Sequence, residues 1–112
     1  MASEVNAARE GRTNSINGNG RARRRVPIPR DVNDVPSKEW RSITRTLEKS
    51  NADAYDAPRH LEEEAMSDRE LGNFYAVAQH FSTRYSISES ARRNSRKWAN
   101  LALEEISHRR RR

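Results

Sequence analysis

The chain contains no cysteine. That excludes disulfides and thiolate metal sites, and it suits a reducing compartment without establishing one. No apolar run approaches the ~20 residues that a membrane-spanning helix needs, so integral membrane association is not expected. The opening Met1-Ala2-Ser3-Glu4-Val5 lacks the basic-then-apolar order of a secretory signal. The expected location is therefore the nucleus or cytoplasm, and not the outside of the cell. Nucleophile motifs, glycine-rich phosphate loops and paired catalytic carboxylates are missing, which argues against an enzyme and against a cofactor. His60 and Glu64 are four residues apart on one helix face, a pair that could hold a metal. Two ligands do not make a metal site. Apolar residues are also scarce: 33% hydrophobic and 6% aromatic against 34% charged. A balance that polar leaves part of a 112-residue chain without enough apolar surface to fold.

What the sequence has in quantity is arginine. Nineteen of the 22 basic residues are Arg; the lysines are Lys38, Lys49 and Lys97. The planar guanidinium grips phosphate through two parallel hydrogen bonds and stacks on bases, which an ammonium cannot do. Of the formal net charge of +6, residues 1–35 hold +3, residues 36–85 hold −2 and residues 86–112 hold +5. By this segment count the excess positive charge lies at the two ends.

Residues 1–35 read as a disordered arginine-rich arm. Asn14-Ser15-Ile16-Asn17-Gly18-Asn19-Gly20 offers little to bury. Arg21-Ala22-Arg23-Arg24-Arg25 follows, and Pro27 and Pro29 then hold the backbone extended. Residues 36–108 read as a helical domain. A first helix is expected from Ser37, with Ser37 as its cap and Trp40, Ile43 and Leu47 on one stripe, ending at Ser50-Asn51. The loop 51–57 is expected to bring Tyr55 near the domain. Pro58 suits the start of a short helix through Leu61 and Ala65, with Glu62-Glu63-Glu64 as an acidic patch able to hold the basic arm.

Ser67-Asp68-Arg69-Glu70 is a capping box, and Leu71, Phe74, Tyr75, Ala78 and Phe81 after it make one amphipathic helix that Gly72 weakens slightly. A last helix is expected to start near Ser86 or Ser88 and run to about Ser107. Ala91, Ser95, Trp98, Ala102 and Ile106 share one of its faces, and Arg92, Arg93, Arg96 and Lys97 lie on the opposite one. Leu103 interrupts the basic side and is the first place to look for a homodimer contact. Residues 109–112 form a basic tail. The expected fold is all-α: a small bundle of three to four helices with a disordered basic arm and a basic tail.

The functional reading is non-enzymatic, largely sequence-tolerant binding of nucleic acid through the phosphate backbone, with RNA ahead of DNA. The expected contacts are Arg21, Arg23, Arg24, Arg25, Arg92, Arg93, Arg96, Lys97, Arg109, Arg110, Arg111 and Arg112. The aromatic stripe Phe74, Tyr75 and Phe81, and with it Trp98, is expected to pack in the core rather than stack on bases. A helix-turn-helix with its reader starting at Ser88 would need a turn longer than the usual three or four residues. The alternative function is a protein-interaction adaptor whose arginine clusters serve as import or docking signals.

Overall fold

The computed structural model describes residues 24–54 and 56–111. Within them the protein is all-helical, with three α-helices, two short 3₁₀ turns and no strand. The expectations for the arm up to residue 23, for Tyr55 and for Arg112 lie outside the described residues.

Helix α1 spans Ser37–Lys49. Ser37 does not cap it. Pro36 occupies the cap position, its carbonyl accepting the Trp40 amide, and Ser37 is the first helical residue. Ile43 and Leu47 are buried on one side, with Trp40 half-buried beside them. The helix ends at Ser50, and its last carbonyls are satisfied from another part of the chain. Asn94 donates to the carbonyls of Leu47 and Ser50 and accepts the Ala52 amide, and the Trp98 indole also donates to Ser50. Helix ends carry unsatisfied carbonyls, and these two side chains supply the missing donors.

The segment after α1 differs from expectation. Pro58 starts a 3₁₀ turn over Ala57–Leu61, but the helix does not continue to Ala65. In an α-helix the Leu61 carbonyl would accept the Ala65 amide. Here it accepts a guanidinium hydrogen from Arg109. Glu62 turns extended, and the Ala65 and Met66 amides bond back to the Glu62 carbonyl.

Helix α2 spans Asp68–Ser82 and opens with the expected capping box: Ser67 Oγ accepts the Glu70 amide, and the Glu70 carboxylate accepts the Ser67 amide. Hydrogen bonding from Ser67, its amide first and then its hydroxyl, holds the Glu70 carboxyl below its ordinary range. Leu71, Gly72, Asn73, Phe74, Ala76, Val77 and Ala78 are all buried, so α2 is covered on nearly every side. Helix α3 spans Glu89–Arg111. Ser88, not Ser86, caps it, accepting the Ala91 amide. Of the expected face, Ser95, Trp98, Ala102 and Ile106 are buried and Ala91 is half-buried; Ala99 and, one turn past Ile106, Arg109 join the buried set. Helices α2 and α3 share the largest interface, with Ala78, Ala99 and Ala102 in the core between the larger side chains. Trp98 is fully buried and meets the Phe74 ring edge-on at 5.4 Å.

The boundary of the N-terminal arm also moves. Residues 24–35 belong to the folded body, because Val26 and Val35 are buried in the core and Val32–Asp34 forms a 3₁₀ turn capped by Asp31. Residues 24–30 run as a strap across α2 at Gly72. A β-carbon there would stand 1.7 Å from the Pro27 carbonyl oxygen, so only glycine admits the strap. The helix-weakening residue of the sequence is thus a packing requirement.

Candidate nucleic-acid interface

Two of the expected phosphate ligands are structural. Arg109 is 0% exposed. Its guanidinium donates to the Glu105 carboxylate at 2.8 Å and Asp68 at 2.9 Å. Two more bonds, both 2.8 Å, go to the carbonyls of Leu61 and Met66. Four of the five donors on its rigid fork meet protein acceptors, and full burial keeps the head out of a ligand's reach. Helix α3 therefore runs four residues beyond the expected Ser107, since its last turn is pinned from inside. Arg24 is the second case. It forms a two-bonded pair with Asp68, at 2.9 and 2.7 Å. It also binds Glu63. Of the expected acidic patch and basic cluster, the described residues show one pair, Glu63 with Arg24.

Asp68 receives both guanidiniums. Its carboxyl is held below the ordinary range by hydrogen bonds from Arg24 and then Arg109, against the opposing effect of burial. A depressed folded-state carboxyl contributes stability that is present above its unfolded value near pH 4 and is lost as pH falls through the folded value. The stability gap between the native chain and Asp68→Asn should therefore be widest at neutral pH and shrink on acidification below about pH 4. Urea midpoints across that range measure it; a gap independent of pH would contradict the assignment.

The cations expected on α3 divide. Arg92 is folded back, donating to the Ile87 carbonyl at 2.8 Å and lying 5.1 Å from the centre of the Tyr85 ring. That engagement, within a six-residue connection, also leaves a helix-turn-helix reader without one of its main contacts. Arg93 pairs with Glu89 at 3.1 Å and Lys97 with Asp53 at 2.6 Å. Both are exposed pairs of a kind worth about 0–1 kcal/mol, which a phosphate can displace. Arg96 is exposed and has no partner among the described residues, and the same holds for Arg25 and Arg111. Arg110 is exposed and makes one long bond, 3.5 Å, to the Val26 carbonyl. Arg21, Arg23 and Arg112 lie outside the described residues.

Among the described residues, the largest set of cations without an ion-pair partner is on α1, where the segment count of charge concealed it. Lys38, Arg41, Arg45 and Lys49 are exposed, and none has an ion-pair partner among the described residues. Their offsets of 0, 3, 7 and 11 confine them to an arc of about 80° at 3.6 residues per turn, opposite Ile43 and Leu47. At 1.5 Å per residue the stripe is roughly 16 Å long. Glu48 flanks it, while the other acid of the helix, Glu39, is turned inward to Asn73 and Arg69. The signal was in the sequence: four cations at helical spacing, diluted by acids that fold elsewhere.

Two apolar features lie outside the core. Leu103, 43% exposed, lines an open hollow of about 770 Å³ beside Pro58 and Leu101. Tyr85, 88% exposed, stands between α2 and α3. Among the described residues no three His, Asp or Glu side chains come together as a metal site, and no helix is long and apolar enough to cross a membrane. Comparison with protein-family models, with curated proteins and with solved structures finds no match to this chain.

Proposed function

We propose that this protein binds nucleic acid through phosphate contacts that are largely indifferent to sequence, with α1 as the central platform and no chemistry performed on the ligand. The observation that carries the proposal is the stripe of four cations on α1, none of them paired among the described residues. A rigid helix presents them in line, so binding releases several counterions without first breaking internal pairs. Arg25, Arg96, Arg110 and Arg111 add exposed charge of the same sign, and Arg93 and Lys97 join by exchanging a weak partner. RNA is put ahead of DNA on the general ground that arginine-rich segments fold on binding RNA, and this sequence is rich in arginine.

Replacing Lys38, Arg41, Arg45 and Lys49 together with glutamine is expected to weaken binding of mixed-sequence RNA at low salt by on the order of tenfold or more, with unchanged thermal stability. The Arg92, Arg93 and Arg96 triple change to alanine should cost less affinity. It should also lower stability slightly, because Arg92 ties the connection to α3. Full affinity in the stripe variant would remove α1 as the platform.

The adaptor reading has one observation in its favour, the exposed Leu103 in its hollow. Partners that survive nuclease and high salt would select it.

A further inference from the structure

One surface groove combines features that phosphate binding alone does not use. It lies between the strap and helices α1 and α2, with a volume of about 740 Å³. Trp40, Tyr75, His80 and Phe81 line it, each half-buried rather than sealed. Three of these rings meet one another: Trp40 to Phe81 at 5.6 Å and Trp40 to His80 at 6.1 Å, both tilted, and His80 to Phe81 edge-on at 5.3 Å. The sequence pattern assigned Tyr75 and Phe81 to the core; the structure leaves both partly open. Arg30 and Arg84 line the same groove and are exposed, Arg84 touching His80 Nε2 at 3.1 Å. One acid, Asp31, also lines it, and its carboxylate accepts the Asn33 amide.

From this geometry we infer that the groove receives an unstacked base of a single-stranded nucleic acid. The inference rests on the phosphate-binding proposal and deepens it. Aromatic faces attract any base through its π-face, and guanidiniums beside them take the flanking phosphates. The groove is also continuous with the platform. Trp40 borders both it and a smaller hollow of about 320 Å³ that Arg41 lines, so one strand can run from the α1 stripe past Arg41 to the aromatic floor. Bases in a duplex are stacked on one another and do not enter such a groove without being flipped out. The consequence is a preference for single strands over duplex.

The two tryptophans make the test direct, because Trp98 is sealed at 0% exposure and Trp40 is half-open in the groove. The full chain is titrated with a single-stranded oligouridylate and with a blunt RNA duplex of equal length. Tryptophan emission and fluorescence anisotropy are followed together. The single strand should quench the Trp40 part of the emission and bind about tenfold more tightly than the duplex, the scale of one base–aromatic stack. Trp40→Phe should remove the quenching. Arg30→Gln with Arg84→Gln, exposed positions whose loss leaves the core intact, should lower single-strand affinity more than duplex affinity.

Equal, salt-dependent affinity for both ligands with unchanged Trp40 emission overturns the groove proposal and leaves phosphate binding standing. Absence of salt-dependent binding to either ligand overturns both. Trp40 emission that answers a polyproline peptide and not the oligouridylate would make the occupant a peptide, and the groove proposal fails.

Discussion

Arg109→Met should destabilise the protein by about 3 kcal/mol, whereas Arg111→Met should change it by no more than about 0.5 kcal/mol. The two residues are neighbours in one run of arginines and differ only in where the helix turns them. Methionine keeps most of the buried volume at position 109, so packing loss is minor. The cost comes from what is left behind. The Leu61 and Met66 carbonyls lose their donor, and the Asp68 and Glu105 carboxylates lose a buried counter-charge. Breaking a buried pair from one side costs about 3–5 kcal/mol. The lower end applies because Asp68 keeps Arg24, and because the Asp68 and Glu105 side chains are 27% and 17% exposed and still reach water. Against a total stability of roughly 5–15 kcal/mol for a domain of this kind, that is a large fraction. Urea unfolding of both variants measures it; similar losses at 109 and 111 would show that the anchor is absent.

Gly72→Ala should also destabilise, with the opposite sign to a helix-propensity argument. In an open helix, alanine for glycine gains about 1 kcal/mol. At position 72 the new β-carbon would lie 1.7 Å from the Pro27 oxygen and 2.8 Å from its carbonyl carbon. Both are backbone atoms, which cannot swing aside as a side-chain tip can. The strap must lift, exposing Val26 and straining the Arg24 pair with Asp68. Overpacking of this kind costs typically 1–3 kcal/mol, which outweighs the propensity gain. The expected result is a lower melting temperature together with faster trypsin cleavage at Arg25 and Arg30. A higher melting temperature would mean that the strap does not pack on α2 as described.

Local signals carried much of this fold. The capping box at Ser67 and the spacing of Ser95, Trp98, Ala102 and Ile106 each rest on neighbours three to seven residues away, and both were legible. Signals that depend on distant partners were not. Nothing near Arg109 in sequence announces Leu61, Met66 and Asp68 as its acceptors, so the run 109–112 read as a free tail. Nothing local marks Asn94; its role is set by the end of α1, more than forty residues away. Gly72 read as a defect because the strap that needs it was assigned to the disordered arm. The interface failed differently. The α1 stripe is a local pattern, but charge summed over residues 36–85 gives −2 and erases it. A face-by-face count would have found it, whereas the groove around Trp40 needed the fold.

The central claim is that the cations of α1, and not the internally paired Arg24 and Arg109, meet the phosphates. The most direct test is the salt dependence of single-stranded RNA binding, compared between the native chain and the variant with glutamine at 38, 41, 45 and 49. Each phosphate contact on a single strand contributes about 0.7 to the slope of log affinity against log salt, so losing four should flatten that slope by about 3. A slope that stays as steep in the variant as in the native chain would contradict the account.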